Sequence, residues 1–235
     1  MRLVTWNLGH RRNGNRCPDR LVAALAALEP DIVTLVDRTP GDAYKPLLEA
    51  LARIGLRHQL TTTPAAHDGR VLLASRLELE RGSVGTGQGD HMPSDVLHAY
   101  APTGTLDVVS LRISGSGHPP AAREACWNWL LSAASTLKHR RAILIGDFET
   151  DPAHDESGGT RELRRFISDG WQHAVPAEGA SYSTAAGNAL RIDHAFLSPS
   201  LQRVDTRYAL ESAGFRLAGS KDSLSEQPAL VVDLQ

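Results

Sequence analysis

Hydrophobic and polar positions along this chain follow two successive rhythms. Up to about residue 54, short apolar runs alternate with stretches of helical spacing. Leu3 to Leu8 reads as a first strand carrying Trp6-Asn7, and Gly9 to Pro18 as a polar loop. Asp19 suits a helix start, after which Leu21, Val22, Leu25 and Leu28 recur at helical spacing. Pro30-Asp31 ends that helix, and Ile32-Val-Thr-Leu-Val36 is a second buried strand closing on Asp37. Asp42 to Ile54 follows as a second amphipathic helix.

Beyond that point strand-like runs dominate: Leu56–Thr62, Arg70–Ser75, Leu77–Val84, Asp95–Tyr100 and Leu106–Ile113, joined by Gly, Pro, Asp and Ser turns. Pro119 to Leu137 reads as an Ala-rich third helix with Trp127 and Trp129. Ala142, Ile143, Leu144 and Ile145 suit a strand buried on both faces, and Gly146 lets it end closely packed or bent. Thr160 to Ile167 is a short helix, and Leu190–Leu197, Arg203–Tyr208 and Ala229–Leu234 are closing strands. No internal repeat, low-complexity run or composition shift marks a linker. The pattern predicts an α/β fold: two β-sheets packed face to face with helices outside, a four-layered sandwich in one domain over residues 1–235.

Composition narrows the classes. The chain's 235 residues, 41% of them hydrophobic, can build a sizeable core. A formal net charge of −2 argues against a general polyanion binder, and so against duplex nucleic acid as a partner. The tryptophans Trp6, Trp127, Trp129 and Trp171 are not interleaved with basic residues, so they read as core rather than as a base-stacking platform. Cys17 and Cys126 are the chain's two cysteines, which favours a reducing compartment over a disulfide framework. Met1 runs directly into a strand pattern without a signal peptide, and no apolar stretch is long enough to span a bilayer. The expectation is a cytoplasmic protein acting on a small molecule.

The candidate chemistry starts at the end of the Ala142–Ile145 run. Asp147 and Glu149 stand two residues apart, and on an extended backbone they point to one side. Carboxylates at the end of a buried strand are costly unless a metal, a catalytic proton or a substrate cation pairs with them; otherwise they cap an ordinary loop. Asn7, Asp37 and Asp147 each stand where a strand stops, and in a layered sheet such ends can converge.

In these stretches the sequence resembles the endonuclease/exonuclease/phosphatase superfamily, the deoxyribonuclease-like metal-dependent phosphoesterases. The similar segments are Thr5-Trp6-Asn7, Pro30-Asp-Ile-Val-Thr-Leu-Val-Asp37, Gly69-Arg-Val-Leu-Leu-Ala-Ser-Arg76, Gly146-Asp147-Phe148, Arg191-Ile192-Asp193-His194 and Ser225-Glu-Gln-Pro-Ala-Leu-Val-Val-Asp-Leu234, in the family's order along nearly the whole chain. The resemblance implies a deoxyribonuclease-like sandwich that hydrolyses a phosphoester with a divalent metal, Mg²⁺ or Mn²⁺. By the same resemblance Asn7, Asp37 and Glu226 would hold the metal, and Asp147 and Glu149 would position the nucleophilic water and the phosphate. Arg112 and Gln227 stand where the family carries histidines, the latter beside Asp193.

Several of these positions depart from the family pattern. Asp37 replaces a Glu and is one methylene shorter. Glu149 replaces an Asn and sets a second negative charge beside Asp147, which repels a phosphate unless it is protonated or metal-bound. Arg112 can stabilise a phosphoryl charge but cannot give up its proton. The Asp-His of the last motif is Glu226-Gln227, and losing a positioned acid–base group costs roughly 10²–10⁴-fold in rate. The expected catalytic set is Asp147, Glu149, Asp193, Arg112, Asn7 and Gln227, in a polar pocket whose carboxylates raise one another's pKa values. The leading expectation is a divergent hydrolase of a small phosphoester or related ester. The alternatives are a metal-independent acid–base enzyme for cyclisation or elimination, and a non-catalytic protein that binds a ligand or partner; fold alone does not choose among them.

Arg11 and Arg12, with His10 and Arg16, follow Asn7 on the pocket side and are candidate substrate contacts. His118, on the loop after Arg112, is a candidate replacement for a lost histidine. Lys138-His-Arg-Arg141 precedes its strand and reads as a solvated face away from the pocket. His194 alternates with Asp193 and should point to the other face, and Cys126 reads as a buried helix residue.

Overall fold

The computed structural model describes residues 1–9, 18–38, 44–62, 70–84, 95–113, 120–153, 158–184 and 186–235. In chain order the first elements are β1 (Arg2–Asn7), α1 (Pro18–Leu28), β2 (Ile32–Arg38), α2 (Tyr44–Arg53), β3 (His58–Thr61), β4 (Arg70–Ser75) and β5 (Glu80–Arg81). Next come β6 (Val96–Ala101), β7 (Leu106–Arg112), α3 (Pro120–Leu137), β8 (Ala142–Asp147), α4 (Gly158–Ser168) and β9 (Gln172–His173). The chain closes with β10 (Tyr182–Ser183), β11 (Ala189–Leu190), β12 (Asp193–Leu197), β13 (Arg203–Ala209), β14 (Glu211–Ser212), β15 (Phe215–Arg216) and β16 (Ala229–Leu234).

Twelve of these strands form two six-stranded sheets, in the orders β13-β16-β1-β2-β4-β3 and β5-β6-β7-β8-β12-β9. The side chains explain why the layers stack. On β1, Leu3 packs between the sheets while Val4, Trp6 and Leu8 pack under α1 and α2. On β8, Ile143 and Ile145 face the other sheet while Ala142 and Leu144 pack under α3 and α4. Strands buried on both faces are apolar throughout, as the continuous Ile32–Val36 and Ala142–Ile145 runs foretell. Three apolar clusters result, and the layers are helix, sheet, sheet, helix. The expected four-layered α/β sandwich is the fold. One polar link crosses its centre, where Thr34 on β2 and Ser110 on β7 share a hydrogen bond of 2.8 Å in full burial. No helix among the described residues is long and apolar enough to cross a membrane.

The elements differ from expectation where other groups capture the backbone. The Leu190–Leu197 run splits into β11 and β12, because the Ser181 hydroxyl accepts the N–H groups of Ile192 and Asp193, and Asp151 accepts that of Arg191. Of Leu77–Val84, the two residues of β5 keep a ladder, on β6. The two-residue strands β9, β10, β14 and β15 are too short to leave a period in the sequence. Asp42, expected to open α2, and Pro119, expected to open α3, lie outside the described residues.

Gly146 sets the spacing at the centre of the second sheet. Its φ is +150°, and a Cβ there would stand 1.9 Å from the Leu111 carbonyl oxygen of the neighbouring β7. No side chain fits between the two backbones, so Gly146→Ala is expected to destabilise the fold by roughly 3 kcal/mol or more, through strain and overpacking together. Chemical denaturation would check this; a loss within error of zero would show that β7 and β8 can part without cost.

Candidate active site

Within each sheet two central strands run parallel, β1 beside β2 and β7 beside β8. Contacts across the sandwich bring their four C-terminal ends to one edge. In the second sheet Arg112 is level with Asp147, and Asp193 faces Asp147 across the antiparallel pair of β12 and β8. These three share the face that carries Val108, Ile145 and Ala195 into the core between the sheets. From the first sheet Asn7, in phase with Leu3, reaches across: its Nδ2 donates to Asp147 Oδ2 at 2.7 Å and to Asp37 Oδ2 at 3.2 Å. Asn7, Asp37, Arg112, Asp147 and Asp193 are all buried.

Two of the carboxylates reach this site by leaving regular strand geometry. By the period of two, Asp37 belongs with Val33 and Leu35 under the helices. The register of β2 slips between Leu35 and Arg38, and Asp37 takes a left-handed φ of 55°. This bulge turns its carboxylate inward, where Oδ1 forms an ion pair with Arg112 Nε at 2.5 Å. Glu149 corrects the expectation of an extended backbone. β8 ends at Asp147, and Glu149 has a left-handed φ of 48°. Asp147 Oδ1 instead accepts the Glu149 N–H at 2.8 Å, a local turn that leaves Glu149 Oε1 3.9 Å from Arg112 Nη2. Left-handed backbone at two non-glycine residues of one pocket is the kind of strain that gathers at functional sites.

Burial and like charge govern the titration. Asp147 and Asp193 are 0% and 1% exposed, directly opposite on neighbouring strands. Burial, then Glu149 and Asp37, push the Asp147 carboxyl up to about 8. Burial and the Asp147 charge hold Asp193 well above the ordinary carboxylate range, with the nearby Ser181 hydroxyl only moderating it. Asp147 keeps two hydrogen bonds that favour its charge, whereas neither Asp193 oxygen has a partner of good geometry among the described residues. Asp193 is therefore the firmer holder of a proton. Burial disfavours the charge of Arg112, but Asp37, Asp147, Glu149 and Asp95 together hold its pKa above the usual arginine value.

The last expected segment also meets this edge. Ser225 Oγ donates to the Asn7 carbonyl, and the Gln227 carbonyl accepts Trp6 Nε1 at 2.8 Å. The Gln227 side chain is buried, with Oε1 unpartnered among the described residues. Glu226 is exposed and lines a cleft of about 390 Å³ with Tyr182, Ser183 and Lys221. Ser181 and Tyr208 escaped the sequence reading: Ser181 anchors the start of β12, and Tyr208 Oη donates to the Asp193 carbonyl at 3.1 Å. Neither belongs to a motif, and both act through contacts far along the chain. Arg11, Arg12 and His118, the expected substrate contacts, lie outside the described residues, as do His10 and Arg16. His194 points away from the pocket, donating through Nε2 to the Thr150 carbonyl while Nδ1 accepts from His173. Cys126 is buried, its thiol pushed up to about 12, and Arg140 of the basic run pairs with Asp107 at the opposite end of β7.

Residues 4–220 match the model of the endonuclease/exonuclease/phosphatase family. The chain belongs to that family. No curated protein matches it in sequence. Among solved structures it is similar to a 3′ phosphatase from Neisseria bound to product DNA hairpin, at 19% identity and a TM-score of 0.76, over 100% of this chain and 99% of that one. It is also similar to an AP endonuclease from Archaeoglobus fulgidus, at 18% identity and a TM-score of 0.74, over 100% and 99%. A 3′–5′ exonuclease from Neisseria meningitidis is alike at 20% identity and a TM-score of 0.73, over 100% of both chains. At such identities the likeness shows the fold.

Nucleases and phosphatases of this family generally depend on a divalent metal. The residues present here do not fit one. Asp37 presents one oxygen to Arg112 and the other to Asn7 Nδ2, and Asn7 Oδ1 accepts the Gly9 N–H at 2.8 Å. Among the described residues no three His, Cys, Asp or Glu side chains form a group that could hold a metal ion. Of the expected trio Asn7, Asp37 and Glu226, the first two bond each other and Asp37 also pairs with Arg112, while Glu226 lines the neighbouring cleft.

The acid pair predicts a stability profile. A carboxyl with a raised folded pKa contributes stability below its unfolded value, about pH 4, and loses it as pH rises through the folded value. Asp193→Asn mimics the protonated form and removes that loss. Its melting temperature should equal the natural protein's near pH 4 and increasingly exceed it as pH rises beyond that, by roughly 2–4 °C per kcal/mol recovered. A variant less stable than the natural protein at the higher pH would show that Asp193 is stabilised by its charge.

Proposed function

We propose that this protein hydrolyses a small phosphoester at the edge where Asn7, Arg112, Asp147 and Asp193 meet. The observation that carries this reading is the Arg112 guanidinium, buried and level with Asp147 at the C-terminal ends of β7 and β8. Guanidinium N–H groups suit phosphoryl oxygens, and a buried one stabilises the charge that develops on them far more than one in water. Asp147, fixed by Asn7 and the Glu149 N–H, takes a proton from the attacking water. As the water oxygen bonds to phosphorus, the ester P–O bond breaks, and the leaving oxygen takes a proton from the store that Asp147 and Asp193 share.

The charge balance selects within phosphoesters. One guanidinium faces several carboxylates, so a diester, with one negative charge, is favoured over a dianionic monoester. The net charge of −2 supports a small substrate over duplex DNA. A non-hydrolytic acid–base reaction is the second reading, favoured by the same buried acid pair.

Turnover of small phosphodiesters, phosphomonoesters and a DNA duplex tests this. The expected result is hydrolysis of small diesters, with a rate that rises toward pH about 8 as Asp147 ionises. Arg112→Ala should lower kcat/KM by roughly 10²–10³-fold and Asp147→Ala by roughly 10²–10⁴-fold. Faster turnover of the duplex would overturn the small-substrate assignment, and no turnover of any phosphoester would overturn hydrolysis in favour of the second reading.

A further inference from the structure

We infer that Arg112 is the resident cation of this site, occupying by charge and position the role that a divalent metal has in the family, so that the chain binds and turns over its phosphoester without a metal. The catalytic half rests on the hydrolase reading; the cation assignment itself stands on geometry alone. Arg112 Nε lies 2.5 Å from Asp37, the residue aligned with the family's metal-holding Glu, and Nη2 lies 3.9 Å from Glu149. It shares a register row with Asp147, which is bonded in turn to Asn7, another residue aligned with a metal position. Of the expected ligands, Asp37 thus pairs with a guanidinium and Asn7 bonds that guanidinium's neighbours Asp37 and Asp147.

Physical chemistry makes the two cations alternatives. A divalent ion at Asp37 would sit beside a buried positive charge, where the low-dielectric interior screens the repulsion far less than water does. The guanidinium also explains three departures from the family pattern as one change. A shorter Asp37 leaves room for the planar group, an added Glu149 supplies a second counter-charge, and arginine in place of histidine provides a cation that never loses its proton. The fork of N–H donors beyond Nε can take a phosphoryl oxygen, which is the electrostatic task of the metal.

Binding of Mn²⁺ followed by electron paramagnetic resonance decides the assignment. The natural protein is expected to bind no stoichiometric Mn²⁺ at millimolar concentration, and its phosphoester turnover to be unchanged by EDTA. Arg112→Ala is expected to gain one Mn²⁺ site, lost again when Asp37→Asn is added; Arg112→Gln serves if the alanine variant does not fold. A stoichiometric Mn²⁺ site in the natural protein that Asp37→Asn abolishes would overturn the inference, as would turnover that EDTA removes. Absence of turnover on every phosphoester, with the binding results as expected, would defeat the hydrolase reading and leave the cation assignment supported.

Discussion

Charge cannot be buried unpaired, and that constraint organises this protein's working edge. Asp37 and Asp147 lie inside the sandwich beside Arg112, Asp193 stands opposite Asp147, and Glu149 is half-buried 3.9 Å from Arg112. In a low-dielectric interior they cannot all be ionised around one guanidinium. The structure resolves the conflict in two ways. Asp37 pairs directly with Arg112, and burial and mutual charge hold the carboxyls of Asp147 and Asp193, opposite each other, above the ordinary carboxylate range.

Geometry makes that arrangement possible. The sheets bring the ends of β1, β2, β7 and β8 to one edge, and the close approach of β8 to β7 at Gly146 sets Arg112 and Asp147 side by side. The left-handed backbone at Asp37 and Glu149 adds the two remaining carboxylates. Strain and buried charge both cost stability, and both are present at this edge, while apolar layers such as that of Val4, Trp6, Leu25 and Leu51 carry the fold.

Much of this was legible in the sequence. The apolar runs of β1, β2, β8 and β16 announce strands buried on both faces, and the helical spacing of Leu21, Val22, Leu25 and Leu28 announces α1. Asn7, Asp37 and Asp147 could be named because each closes an apolar run, and Arg112 and Asp193 from the family resemblance. The partners could not. Period-two reasoning puts Asp37 on the wrong face, since a bulge is invisible to alternation, and it treats Glu149 as part of a strand that has already turned. The Ser181 hydroxyl that starts β12 comes from a segment without periodicity.

The sequence by itself determined the layers, their order and which residues stand at the strand ends, because local hydrophobic period reports which faces are buried. Whether those end residues hold a metal, a proton or one another was decided in three dimensions. Asn7 and Asp147 are 140 positions apart and Asp37 and Arg112 are 75 apart, and their distances follow from sheet register and two left-handed residues. An arginine three ångströms or less from a carboxylate is an ion pair, and the same arginine on another face is a solvated side chain; only the packing of the two sheets tells them apart.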